Sequence, residues 1–137
     1  MDKYKEIFLN IEKVIDRKQT EIKDLKSEER NIMAAIEAAE KKKTRKKFLI
    51  FGPFPPESKQ NVISMEIASL KRKLRKKRAD MVKKTKNLLD DINKLIEFYE
   101  KNRFRLKAMK NKVAYYKELK EKTETGYVRQ RQALQAA

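Results

Sequence analysis

The chain has 137 residues, enough for one domain, and 42% of them are charged, with two glycines, three prolines and a formal net charge of +17. So few turn residues exclude sandwiches, barrels and α/β folds, and the regular spacing of the apolar residues argues against disorder. Cysteine and histidine are absent, which removes disulfides, thiolate nucleophiles, Cys/His zinc sites and the usual general base near neutral pH.

Met1 to Glu6 is followed by no continuous apolar run, so no signal peptide is expected and a cytoplasmic protein fits. A first helix is expected over residues 3–48. Stepping alternately four and three residues from Tyr4 reaches Phe8, Ile11, Ile15, Lys18, Ile22, Leu25, Glu29, Ile32, Ile36 and Ala39. Only Lys18 and Glu29 interrupt this apolar seam, whose 3.5-residue repeat is that of a coiled coil. The run Lys41 to Lys47 closes the helix with cations, which suit the negative end of its dipole.

A turn follows at residues 49–56. All three prolines and Gly52 sit there; proline cannot continue a helix, and glycine ends one cheaply. Phe48, Phe51 and Phe54 are expected to plug the open end of a hairpin. The sharper reading makes them, with the flanking lysines, a tip that inserts into a membrane surface or a partner groove. The turn is far too short to span a bilayer, so no stable membrane insertion is expected.

Pro56, Glu57 and Ser58 are start signals for a second helix over residues 57–125. Its seam runs through Ile63, Ile67, Leu70 and Leu74, passes Arg78 in a stutter, and resumes at Met81, Thr85, Leu88, Ile92, Leu95, Tyr99 and Asn102. It carries on in the same phase to Leu106, Met109, Val113 and Tyr116. Gly126 is placed as the cap residue, with 126–137 as a tail. The fold class expected is therefore all-α: an antiparallel two-helix coiled-coil hairpin with an overhanging second helix.

At 1.5 Å per residue the first helix is about 70 Å long and the second about 100 Å. With the reversal near Pro53, Tyr4 faces the region of Arg103, and everything beyond projects past its partner. The overhanging stripe Leu106, Met109, Val113 and Tyr116 is thus a candidate partner-binding surface or a seam for self-association, giving a monomer or weak dimer.

Charge is unevenly placed. Residues 1–40 carry eight basic and ten acidic side chains, whereas 57–125 carry twenty-one basic and ten acidic. Lys71, Arg72, Lys73, Arg75, Lys76, Lys77 and Arg78 put seven cations into eight positions around mid-helix. The helix dipole cannot explain cations there, and the facing stretch of helix one sets Glu29 against Arg30. An anionic partner is expected: an acidic protein surface, nucleic acid or lipid headgroups. No aromatics interleave with the run, which counts against base stacking.

No Gly-rich phosphate loop, nucleophile elbow or metal-ligand cluster appears, and the adjacent pairs Asp90–Asp91 and Glu28–Glu29 point about 100° apart on a helix. Neither an enzyme nor a cofactor site is expected.

The stretch Phe98-Tyr99-Glu100-Lys101-Asn102-Arg103-Phe104-Arg105-Leu106-Lys107-Ala108-Met109 resembles the aromatic–Glu–Lys … Arg–Leu–x–Ala–aromatic run of the FliJ/YscO family. It has one extra residue in the middle, and Met109 stands where an aromatic is common. Asn61-Val62-Ile63 resembles the start of that family's second helix. These are stalk proteins of the flagellar and virulence type III secretion machinery. The resemblance implies a cytoplasmic protein, peripheral at the inner membrane through that machinery. It would insert into a hexameric export ATPase and link it to the export gate protein and to export chaperones. Val62 and Met65 fall off the seam and match the gate contact by position. The alternative is a basic coiled-coil nucleic-acid-binding or virion structural protein. A membrane-surface or self-assembling rod is a third reading.

Overall fold

The computed structural model describes the backbone of residues 2–48 and 57–136, and side chains over 2–43 and 62–136. Three long helices account for nearly all of it: α1 (Lys3–Phe48), α2 (Glu57–Lys101) and α3 (Lys110–Ala136), with a short 3₁₀ turn at Lys107–Met109 before α3. Among the described residues there is no strand. The chain is all-α, as its composition requires. The aromatic turn at Phe51 and Phe54 lies outside the described residues.

The seam repeat decides which faces pack. Every seam position of α1 from Tyr4 to Ala39 is buried or half-buried. Lys18 and Glu29, the two polar intrusions, are not solvated gaps: Lys18 pairs with Asp91, and Glu29 accepts from Arg78 at 3.3 Å. Lys84 reaches Glu21 at 3.6 Å and Lys77 reaches Glu28 at 2.6 Å. As the numbers rise along α1, those of the partners on α2 fall.

The second helix does not run to residue 125. It stops at Lys101, and residues 102–106 form turns that lead into the 3₁₀ segment. Asn102 starts the break. Its side-chain Nδ2 donates to the Phe98 carbonyl at 3.0 Å, and its own N–H is shared between the carbonyls of Phe98 and Tyr99. Asparagine competes with the helix ladder in this way. Its carbonyl then accepts from the N–H groups of both Arg105 and Leu106 at 3.0 Å.

The overhang is therefore corrected: α3 folds back along α2 and over α1. Leu106, Val113 and Tyr116 join Phe8, Ile15, Ile22, Leu88, Ile92, Leu95 and Tyr99 in one apolar cluster, with Met109 and Leu119 packed against it. Burying each such side chain is worth about 1.5–3 kcal/mol, while the few helical hydrogen bonds lost at the break cost about 1 kcal/mol each. Burial wins, and the stripe is covered by its own chain.

Gly126 caps nothing. It lies inside α3, which continues to Ala136, and no described residue has positive φ. The result is uneven: three helices surround the core near Phe8, Leu95 and Tyr116, whereas among the described residues Ile36, Ala39, Ile63 and Leu74 are packed by α1 and α2.

Candidate functional site

α3 sits over the line between α1 and α2. Near its start the Tyr116 hydroxyl donates to Glu12 at 2.9 Å, and Lys112 reaches the same carboxylate at 3.3 Å. Burial, reinforced by that acceptor, holds the Tyr116 phenol far above its ordinary pKa, so it stays neutral. Further along, Leu119, Thr123, Gly126 and Gln130 face Gln19, Ile22 and Lys26 of α1 and Thr85 and Leu88 of α2. Near its end Gln130 and Ala133 lie beside Arg30 and Arg78. This face grows more polar along α3, and the buried Thr85 Oγ1 and Gln130 Oε1 have no hydrogen-bond partner among the described residues.

Beyond Ala133 the channel between α1 and α2 continues, uncovered by any described residue, as a groove of about 910 Å³. Arg30, Met33, Ala34, Ile36, Glu37 and Glu40 line it from α1; Ala68, Lys71, Arg72, Leu74, Arg75 and Arg78 line it from α2. Its floor is apolar: Ile36 and Leu74 are buried, and Met33 is 45% exposed. Its rim is cationic, with five basic side chains against two carboxylates.

The seven basic residues of the collar thus divide. Lys71, Arg72, Arg75 and Arg78 look into the groove; Lys73, Lys76 and Lys77 do not line it. Compensation is better than the sequence suggests at the Lys77–Arg78 end. Lys77 bonds Glu28, whose hydrogen bond and charge raise the lysine pKa, and Arg78 bonds Glu29. Lys71, Arg72, Lys73 and Lys76 make no ion pair with any described residue, and all four are exposed.

The other candidate residues are placed as follows. Val62 and Met65 are 63% and 70% exposed, and neither lines the groove. Leu106, Val113 and Tyr116 are buried in the core and Met109 is half-buried, so the four form no open stripe. The acidic pairs serve as bridge partners: Glu28 and Glu29 for the collar, and Asp91 for Lys18. Among the described residues, no group of three acidic side chains could hold a metal, and no helix is long and apolar enough to cross a membrane.

Arg30, Met33 and Ala34 line the groove from α1, and sequence reasoning passed over them. Arg30 and Met33 each sit one position past a seam residue, Glu29 and Ile32. That offset is the signal which could have found them. Compared with family models, with curated proteins and with solved structures, the chain matches none.

Proposed function

We propose that this protein is a non-enzymatic docking adaptor, an antiparallel helical hairpin braced by α3, whose basic collar seats an acidic protein surface. In its fuller form the reading is a type III secretion stalk. The partner is then the hexameric export ATPase, with the export gate protein and export chaperones as further contacts and the cytoplasm as its place. One observation carries it: Lys71, Arg72, Lys73 and Lys76 form no ion pair with any described residue, and Lys71 and Arg72 line a groove with an apolar floor. Charge held unneutralised at mid-helix contributes nothing to the fold and favours an anionic partner. Exposed Val62 and Met65 remain open to a gate-like contact. The covered Leu106–Tyr116 stripe takes no part.

The test is capture from native cytoplasm, with the retained proteins identified by mass spectrometry. A hexameric ATPase is expected on the wild-type chain and is lost from Lys71→Glu/Arg72→Glu/Lys73→Glu at unchanged helicity. Retention of nucleic acid instead, with affinity falling about a thousandfold or more between 50 and 200 mM salt, would overturn the protein-adaptor reading in favour of nucleic-acid binding.

A further inference from the structure

α3 shows what the channel between α1 and α2 accepts. On α1 its seat is lined by Gln19, Lys23, Lys26 and Arg30, each one position past the seam. The same offset continues beyond its end as Met33 and Glu37, and on α2 as Ala68, Lys71 and Arg75. Arg30 and Arg78 line both parts. Seat and groove are one channel, and along its covered part the occupant is an α-helix.

The chemistry changes along the channel while the shape persists. The uncovered part runs from Arg30 to Glu40 on α1, about 15 Å or three helical turns. Its floor of Met33, Ala34, Ile36, Ala68 and Leu74 suits an apolar stripe, and its α2 rim of Lys71, Arg72, Arg75 and Arg78 suits carboxylates along that flank, while on the α1 side Arg30 stands with Glu37 and Glu40. Among the described residues no aromatic side chain lines it, which counts against base stacking. We propose that this groove seats an acidic amphipathic α-helix from a partner protein, laid in line with α3. The proposal rests on the docking reading above and names the partner's element.

The probe is a fluorescent peptide of about 18 residues, with leucines at helical spacing and glutamates elsewhere, beside a permuted peptide of the same composition that forms no apolar stripe. Anisotropy should show the amphipathic peptide binding at least about tenfold tighter than the permuted one. Ala34 and Ala68 are exposed, so Ala34→Trp/Ala68→Trp fills the groove without disturbing the core, and it should weaken binding at least about tenfold. Ala34→Glu/Ala68→Glu does the same by charge and guards against a folding defect in the first variant. Lys83→Glu/Lys86→Glu, exposed on α2 and lining no part of the groove, should change affinity less than about threefold.

Equal binding of the two peptides, or undiminished binding by both groove variants, overturns the proposal. So does a single-stranded DNA of about 20 nucleotides that displaces the peptide and binds tenfold tighter. Peptide binding with no hexameric ATPase captured removes the stalk reading and leaves the groove assignment standing. Capture of the ATPase by groove-filled protein that has lost the peptide places the ATPase elsewhere on the collar and again leaves the groove assignment intact.

Discussion

Gly126 faces a channel between three helices, yet a Cβ built on it meets nothing within 4 Å. Its backbone is helical, so glycine there loses conformational freedom for no packing return. Gly126→Ala should raise stability by about 0.5–1 kcal/mol, read from urea unfolding at constant m-value. Tyr116 makes the opposite case. Its hydroxyl donates to Glu12 from a buried position, and Tyr116→Phe should cost about 1–2 kcal/mol at neutral pH. The sign of its pH dependence follows from the raised pKa. The fold holds the neutral phenol, so its contribution is complete below the ordinary tyrosine pKa of about 10. It is lost as pH climbs beyond that value, where the unfolded chain ionises first. Wild-type stability should therefore fall more steeply above about pH 10 than that of the Phe variant. Parallel curves would show that this hydroxyl is not linked to folding.

At the scale of elements, the question is why two helices were legible and the third was not. The seam from Tyr4 to Ala39 and from Ile63 to Tyr99 follows a local period, and local period predicts buried faces well. Lys18 and Glu29 read as weak points but find Asp91 and Arg78, because each intrusion on one helix is answered by charge on the other. The break at Asn102 left no comparable mark. Neither glycine nor proline stands there, and the seam keeps its phase through Leu106, Val113 and Tyr116. Those residues are buried by contact with Phe8 and Ile15, about a hundred positions away, and no windowed reading sees such contacts. The available clue was an apolar stripe with nothing to cover it. Within the candidate site the collar was legible from composition. The α1 side of the groove was not, because its lining is set by how α1 and α2 pack side by side and not by any local run of residues. Ending the chain after Lys101 should expose the Phe8, Leu95 and Tyr99 end, lowering the unfolding midpoint and driving concentration-dependent association in sedimentation.

For the whole molecule, folding back sets its length. α1 and α2 have 46 and 45 residues, so each is roughly 70 Å long. Small-angle scattering should give a longest dimension of about 75–85 Å, against over 100 Å for an unbroken second helix to residue 125. A value in the longer range would mean that α3 is extended in solution. The unequal build also divides labour: the three-helix end holds most of the fully buried side chains, including Phe8, Ile92, Leu106 and Val113, whereas the two-helix end carries the cationic groove.

The carboxylate of Glu12 receives Lys112 and Tyr116 from 100 and 104 residues further along the chain. During synthesis, α1 and α2 can pair while this acceptor still waits in water. Assembly is thereby ordered: the two long arms zip first, and the clasp at Glu12 closes only after the start of α3 has left the ribosome. Until then the nascent protein carries its stickiest end bare, which makes that interval the moment when a chaperone matters most.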